Sequence, residues 1–400
     1  MKRAILTTLA AAAVVYAVVT VWKQNERAAG LDFYIYFVNA QLASRTDISN
    51  IYSRDEQLRL GEEYYERAQR SGSELRKYDG ERRRFLDSVS SPFLYTCLRW
   101  VSRDYERALL QDHALILCAF IGGFVLIARR AGLSYALALF LVAALLLWYG
   151  GFEADLRVGN VNSLQLAAIG IALWLPPIAA GIVMGMLVAF KPNLLLVPLL
   201  LAVSRIASRD WMRLKREVIG RAIGGLIAFI AAAISYRSFG IWLQWIARAN
   251  EFYHRLPTRL ERNDTPALAL FHAYGAWVSH ALVVLLTLIA IAAIWRARRR
   301  DDVLIAGLAM LIYLLTATVV WLHYMILALP VMLALLARRS TAIIAAIAML
   351  LIALEPYQLL TRKPVYPNDA YFTTPAFIAL FVCAIWTLVR VETRKSKIEN

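Results

Sequence analysis

Long apolar runs separated by short polar breaks make up most of this chain. Several runs approach 20 residues, the length an α-helix needs to cross a hydrocarbon core of about 30 Å. Pro176 and Pro177, and then Lys191 and Pro192, interrupt the apolar stretch between 161 and 206, because proline ends or kinks a helix. The pattern therefore predicts an all-α integral membrane protein with about twelve transmembrane helices.

The predicted crossings follow one another along the whole chain. In chain order they are 4–22, 112–128, 132–149, 161–175, 178–190, 193–205, 218–235, 277–295, an out-and-back pair within 303–337, 341–355 and 373–390. The polar stretches 236–276 and 356–372 are predicted to lie on the outer side. We predict a single multi-pass transmembrane domain over residues 1–400.

The longest polar segment, residues 23–111, is predicted to be a helical outer loop. Residues 53–71 are charged on nearly every side and indicate a solvated helix. From Ser91, a cap residue followed by Pro92, apolar residues recur at helical spacing as far as Ala108. This second pattern predicts an amphipathic helix that lies flat on the membrane surface.

Basic residues are concentrated in short clusters between the apolar runs. The chain has 44 Lys and Arg against 28 Asp and Glu, a formal net charge of +16, whereas the segment from Lys23 to Asp112 carries 15 basic and 15 acidic residues. The clusters are Lys2 and Arg3, Arg129 and Arg130, Arg205 to Arg221, Arg296 to Arg300, Arg338 and Arg339, and Arg390 to Lys397. This positive-inside pattern predicts a plasma membrane protein, in bacteria an inner-membrane one, with both termini cytoplasmic.

Other classes of protein fit the sequence less well. A protein that binds nucleic acid gathers its basic residues on one soluble face beside aromatic residues that stack on bases. In this chain the basic residues are instead divided among short clusters between apolar runs. The first run could be a signal peptide, but no small-residue cleavage site follows Trp22, so we predict a retained span. The three cysteines lack metal-ligand spacing, and no nucleotide-binding motif is present, so we predict neither metal nor cofactor.

The predicted topology brings three polar residues to the outer side of the membrane: Asp32 after the first span, Lys191 between short helices and His323 at an outer turn. Each has a simpler interpretation: a helix N-cap, a snorkelling lysine and a residue of an aromatic belt. A lysine within apolar sequence, however, costs about 2.5 to 3.5 kcal/mol and usually faces a cavity with a partner. We therefore predict that the three share a pocket.

A carboxylate base, a fixed cation and a histidine can move a group from a lipid-linked phosphate to a hydroxyl. The base removes the hydroxyl proton, and the cations stabilise charge on the departing phosphate. Weaker candidates for substrate binding are Tyr36, Asp155, Arg157, Asn160, Asn162 and Tyr324. The four from Asp155 to Asn162 could bind sugar hydroxyls or could only cap and anchor the next helix.

Five short segments, taken in order, resemble glycosyltransferase family 87. They are DFYIYF from Asp32, SSPFLY from Ser90, DLRVGNVN from Asp155, FKPNLLL from Phe190 and WLHY from Trp321. The resemblance covers most of the chain. Gly159 and Asn160 stand where the family commonly has Gly-Gln, and SSP stands where it tends to have Tyr-Pro-Pro.

This resemblance implies a C-type glycosyltransferase (GT-C) fold and inverting transfer of a sugar, mannose in the members it looks most like, on the extracytoplasmic side. The partners would be a polyprenyl-phosphate sugar donor and a lipid or glycan acceptor, within membrane lipids. It also implies Asp32 as general base and His323 as a contact to the donor phosphate, with Lys191 assisting. The alternative is a transporter, or a flippase or ligase for lipid-linked glycans, although no repeat of interrupted segments in two halves is evident.

Overall fold

The computed structural model describes residues 2–43, 45–254, 275–297, 301–317, 320–353 and 370–396, and every regular element in these ranges is helical. The α-helices are α1 Lys2–Asn25, α2 Leu31–Leu42, α3 Arg54–Gln69, α4 Glu74–Arg82, α5 Pro92–Cys97, α6 Tyr105–Arg130, α7 Tyr135–Trp148, α8 Gly150–Val158, α9 Asn162–Ala172, α10 Pro177–Phe190, α11 Leu196–Ala207, α12 Trp211–Tyr236, α13 Ile241–His254, α14 Ala276–Ala297, α15 Asp302–Thr316, α16 Leu329–Leu336, α17 Ala342–Ala353 and α18 Ala370–Ser396. Two 3-10 turns, Pro192–Leu194 and Leu322–Ala328, precede α11 and α16. Most of the two predicted outer stretches, over 255–274 and 354–369, lies outside the described residues.

Five helices are long and apolar enough to cross a membrane. They are Ala4–Asn25, Tyr105–Arg130, Trp211–Tyr236, His280–Ala297 and Thr373–Arg390. The pair α7 and α8, bent by 65° at its break, makes a sixth if it forms one span. The remaining predicted crossings correspond to apolar helices of 10–17 residues, which are shorter than a full span. The chain is therefore a helical membrane protein, and the number twelve stays a prediction.

Residues 23–111, the predicted outer loop, contain helices α2 to α5, but these helices pack differently from the prediction. Helix α3 buries one face through Leu60 and Tyr64, so it is not solvated all round. The helix predicted from Ser91 to Ala108 is wrong: α5 ends at Cys97, and Asp104 caps the start of α6 by accepting a hydrogen bond from the Arg107 N–H at 2.9 Å. Since α5 is buried against α2 and α12, it does not lie on the membrane surface.

Helices α10 and α12 pack against each other and run in the same direction. Their C-terminal ends mark one end of the helical bundle, and their N-terminal ends mark the other. Lys191, at the C-terminal end of α10, lies at one end together with the outer loop, where Tyr236 at the end of α12 donates a hydrogen bond to the Asn39 carbonyl at 3.0 Å. At the other end Arg205 pairs with Asp302 and Arg338 pairs with Asp301. Arginines from two of the sequence clusters thus meet at the end remote from Lys191.

Glycine allows α10 and α12 to approach until their backbones touch. A Cβ atom on Gly181, Gly185, Gly220 or Gly224 would lie 2.1–2.3 Å from a carbonyl oxygen of the opposite helix. Small residues at such positions are how helices associate closely in membranes, where lipid gives no hydrophobic drive for their association. The placement of Lys191 at the end of α10 depends on this contact.

Two adjacent glycines provide a matched test of that contact. We expect Gly224→Ala to lower the free energy of unfolding by about 1–3 kcal/mol, because its Cβ would meet the Ile182 carbonyl oxygen at 2.1 Å. Gly225→Ala should be neutral or stabilising by up to about 1 kcal/mol, since no atom lies within 4 Å of its added Cβ and alanine favours helix. Thermal unfolding in detergent measures both variants, and equal shifts in Tm would contradict the close contact.

Candidate active site

Asp32 is fixed at the start of α2 by the aromatic residues that follow it. Phe33, Tyr34 and Phe37 are at most 1% exposed and pack against Tyr105 of α6. The Asp32 side chain remains 23% exposed. The N-cap of α2 is Gly30, so the simpler interpretation of Asp32 as a helix cap is wrong. Aromatic packing thus holds a partly accessible carboxylate at the edge of a buried cluster.

Both carboxylate oxygens of Asp32 accept a hydrogen bond. The Arg83 guanidinium donates to Oδ1 at 2.9 Å, and the Asn160 amide donates to Oδ2 at 2.7 Å. Arg83 also donates to the Leu31 carbonyl at 3.0 Å, which fixes the backbone beside Asp32. Arg83 is not among the residues predicted from the sequence, where its one signal is its place in the triplet Arg82–Arg84.

Asn160 links Asp32 to Lys191 through a single side-chain amide. Its Nδ2 donates to Asp32, while its Oδ1 accepts from the Lys191 ammonium at 3.1 Å. Lys191 also donates to Asn162 at 3.5 Å and stacks its ammonium 4.7 Å from the centroid of the Tyr324 ring. Instead of snorkelling to lipid headgroups, the lysine is held within a polar network that contains the acid.

Asn160 reaches this position because Gly159 ends α8 in the left-handed conformation, with φ of +66°. A side chain at Gly159 would also meet Phe33, whose Cβ lies 2.4 Å from the position of an added Cβ, and Asp112, whose Oδ2 lies 3.0 Å from it. Only glycine accepts both the backbone conformation and this close approach without strain. The turn at Gly159 is therefore a structural requirement for the Asp32–Asn160 contact.

Asp155 serves as an internal cap. It is fully buried, and its oxygens accept hydrogen bonds from the backbone N–H and side chain of both Asn162 and Ser163, at 2.6–3.2 Å. Four hydrogen bonds leave this carboxylate little capacity for a sugar hydroxyl. The geometry favours the capping interpretation of Asp155 and makes Asn162 a support for Lys191.

His323 lies in the 3-10 turn Leu322–Ala328 and is 6% exposed. It interacts electrostatically with both Asp32 and Lys191, and its ring centroid is 4.8 Å from that of Tyr324. A residue of an aromatic belt would be exposed at the protein surface, so that interpretation fits the 45% exposed Trp321 and not the buried His323. The structure thus places His323 near Asp32 and Lys191, at the edge of their network.

The remaining weaker candidates divide into two groups. Tyr36 is buried and interacts electrostatically with Asp32 and Asp155, so it borders the same network. Arg157 is exposed on α8 and pairs with Glu153 at 3.8 Å, away from the acid and the lysine. Among the described residues, no group of three or more His, Cys, Asp or Glu side chains could hold a metal ion.

A second acid of the outer loop supports the backbone of the site. Asp79 is buried, accepts a hydrogen bond from the Gly30 N–H at 3.2 Å and is also bonded by the Tyr105 hydroxyl. Burial raises its pKa to about 6, while these two hydrogen bonds act in the opposite direction. Asp79 and Arg83 therefore hold the three consecutive residues 30–32 from the same segment of the loop.

The model of glycosyltransferase family 87 matches residues 90–320, more than half of the chain. The chain belongs to glycosyltransferase family 87. It is therefore a membrane glycosyltransferase that uses a sugar donor and an acceptor. No curated protein matches the chain, and no solved structure does. The matched region contains Asn160 and Lys191 but neither Asp32 nor His323.

Proposed function

We propose that this family 87 glycosyltransferase transfers mannose from a polyprenyl-phosphate donor to a hydroxyl of a lipid or glycan, with inversion at the anomeric carbon. The observation that carries the proposal is the link from the Asp32 carboxylate through the Asn160 amide to the Lys191 ammonium. A carboxylate and a cation held one side chain apart can act on the two ends of a single displacement. Direct displacement by an acceptor hydroxyl inverts the configuration.

In the proposed step the acceptor oxygen forms a bond to the anomeric carbon as the bond from that carbon to the phosphate oxygen breaks. The hydroxyl proton passes to the Asp32 carboxylate, which must be ionised to receive it. It accepts a hydrogen bond from Arg83, and its partial exposure leaves it accessible to an acceptor. The bonding electrons leave with the polyprenyl phosphate.

Lys191 is proposed to stabilise the departing phosphate, with His323 as a second contact. A phosphate is a weak base, so its departure needs positive charge and hydrogen-bond donors more than a second catalytic acid. Stacking against Tyr324 and hydrogen bonding to Asn160 hold the ammonium in place before the donor arrives. A prearranged cation avoids the energetic cost of reorganisation during the reaction.

We further propose the GT-C fold, twelve crossings and an active site facing the extracytoplasmic side. Arginines of the predicted inner clusters meet at the bundle end opposite Lys191, as that orientation requires. The short helix α9 begins at Asn162 and the short helix α10 ends just before Lys191, and both residues belong to the polar network. Broken, short helices within a membrane are tolerated where they line a polar cavity.

The proposed function is tested by reconstituting the purified protein in vesicles with a radiolabelled polyprenyl-phosphate mannose donor and lipid extract as acceptor. We expect label to move from the donor to a new lipid or glycan, with the product anomer opposite to that of the donor. Label that stays on the donor but crosses the bilayer would instead identify a transporter. The same assay with polyprenyl-phosphate glucose as the donor tests whether the enzyme transfers mannose specifically.

We expect His323→Ala to raise the KM for the donor about tenfold or more, with a smaller change in kcat. The reason is that the proposed contact of His323 is with the donor phosphate in both ground and transition states. Initial rates over a range of donor concentrations measure the change. His280→Ala, at an exposed histidine of α14, is the control and should leave KM unchanged. An unaltered KM in His323→Ala would remove His323 from donor binding.

A further inference from the structure

The turn after α12 brings the chain back along that helix. Arg237 ends α12 in the left-handed conformation, with φ of +53°. Beyond the turn, the rings of Phe239 and Trp242 lie against Phe229, with centroids 6.0 and 5.8 Å from that of the Phe229 ring. The first residues of α13 therefore lie beside α12 and not beyond its end.

A hydrogen bond shows how far the chain returns along α12. The Trp242 indole N–H donates to the Phe229 carbonyl at 3.2 Å. Phe229 is seven residues before Tyr236, the last residue of α12, which is about 10 Å along a helix. Because α12 is long and apolar enough to cross a membrane, Trp242 lies well inside the end of a spanning segment. Its N–H also has a partner, as a polar group in hydrocarbon requires.

The two faces of α13 have the opposite arrangement to those of a helix in water. The inward face carries polar groups: Gln244 donates to a backbone carbonyl of the outer loop at 3.2 Å, and Arg248, 6% exposed, pairs with Asp87 at 3.2 Å. The outward face carries Leu243 and Ile246, which are 72% and 54% exposed. A helix surrounded by water buries its apolar face and exposes its charges, so the outward face of α13 indicates apolar surroundings.

The outward face of α13 is continuous with the exposed apolar surface of α12. No charged residue occurs from Ser238 to Ala247. Phe239 is 68% exposed, and it packs on Phe229, which is 36% exposed and is followed on α12 by the 40% exposed Ile230. The exposed apolar surface of a spanning helix contacts lipid, so the same surroundings extend onto α13.

The inward face of α13 is bound to the outer loop at three places. Besides the bonds of Gln244 and Arg248, the Trp245 indole N–H donates to the Val89 carbonyl at 3.0 Å. The loop segment that includes these contacts, 49–89, also contains Arg83, the hydrogen-bond partner of Asp32. The position of α13 therefore sets the position of the loop segment that supports the candidate active site.

We propose that the first half of α13 is immersed in the acyl chains of the leaflet on the Lys191 side, and that α13 thereby anchors the outer loop to the membrane. Leu243 and Ile246 contact the chains, while Arg248, in the second half, lies toward the headgroups. A helix with one apolar and one polar face binds in this way at the boundary between acyl chains and headgroups. Of the stretch 236–276, which the sequence places on the outer side, residues 239–247 then lie within the bilayer. This inference goes beyond the proposed function.

Electron paramagnetic resonance of a nitroxide label tests the proposal in the full chain, reconstituted in phosphatidylcholine vesicles. The three native cysteines are first replaced by alanine, and the label is attached through Leu243→Cys. We expect the label to collide with oxygen about tenfold more often than with a water-soluble nickel chelate, because oxygen partitions into acyl chains and the chelate does not.

Two further label positions provide the references. Ile230→Cys, on α12 beside Phe229, gives the accessibilities of a lipid-facing label. Leu58→Cys gives those of a label in water, since Leu58 is 48% exposed on α3 and lies between Asp55 and Glu62 on the same helix face. We expect the label at 243 to resemble the label at 230 and to differ from the label at 58.

Two results would overturn the proposal. A label at 243 that the nickel chelate reaches as readily as the label at 58 would place this face of α13 in water. A label that neither reagent reaches would show that protein, such as a second copy of the chain, covers the face. Sugar transfer is not measured, so failure of this proposal is distinguishable from failure of the proposed function.

An introduced charge provides a second measurement that keeps the native cysteines. We expect Leu243→Glu to lower the Tm in nanodiscs by about 5 °C or more, because a charge in contact with acyl chains is costly. Leu58→Glu makes the same change on the exposed face of α3 and should shift the Tm by no more than about 1 °C. Equal shifts in the two variants would contradict immersion of α13 in lipid.

Discussion

Asp32→Asn should reduce sugar transfer by at least 10²–10⁴-fold while donor binding survives. The amide keeps the size of the side chain and can still accept a hydrogen bond from Arg83, but it cannot take the acceptor proton. Transfer of label from a polyprenyl-phosphate sugar gives the rate, and retention of the donor by the purified variant gives the binding. Turnover close to that of the wild type would exclude Asp32 as the base.

The matched control for this variant is Asp55→Asn. Asp55 is also an acid of the outer loop, but it is exposed in the first turn of α3 and outside the network around Asn160. We expect the control to retain wild-type transfer. A thermal unfolding measurement on both variants separates loss of chemistry from loss of folding, because the Asp32–Asn160 contact also stabilises the loop. Equal losses of transfer in the two variants would indicate a general effect of charge in the loop.

Lys191→Gln should lower kcat/KM for the donor by about 10²–10³-fold. Glutamine can still donate to Asn160, so the support of the network is partly kept, whereas the positive charge facing the phosphate is lost. Steady-state rates with the labelled donor measure the effect. Because the charge is proposed to act most strongly as the phosphate departs, we expect kcat to fall more than KM rises.

Lys77→Gln is the control for the lysine variant. Lys77 pairs with Glu74 at 2.7 Å on the exposed surface of α4, so its removal should leave transfer unchanged. If Lys191→Gln retained kcat/KM within about threefold of the wild type, the ammonium would have no part in stabilising the phosphate. The lysine would then be a structural partner of Asn160.

Much of the helical framework could be predicted from the sequence because apolar runs and proline breaks act locally. Pro176 and Pro177 separate α9 from α10, and Ser91 with Pro92 starts α5. The end of α5 could not be found in the same way. The apolar period continues through Leu98 to Ala108, but the Asp104 cap starts a new helix within it. The apolar spacing is the same in α5 and α6, so it does not reveal the boundary between them, which is set by the Asp104 cap.

The convergence of Asp32, Lys191 and His323 could also be predicted, because charged residues beside apolar runs need partners. The hydrogen-bond partners of Asp32 and Lys191 could not be predicted. Arg83 lies among many basic residues of the outer loop, and only folding places it 2.9 Å from Asp32. The sequence makes Asn160 a candidate sugar ligand or helix cap, whereas in the structure its side chain bridges Asp32 and Lys191. Partners separated by 51 and 128 residues depend on the tertiary fold, which no local pattern encodes.

Whether Asp32, Lys191 and His323 form the active site is tested by a cryo-EM structure of the full chain in a nanodisc with a non-transferable polyprenyl-phosphate sugar analogue. We expect the phosphate within hydrogen-bond distance of the Lys191 ammonium and the His323 ring, with the anomeric carbon facing the Asp32 carboxylate. A phosphate bound elsewhere, with Asp32 remote from the sugar, would contradict it.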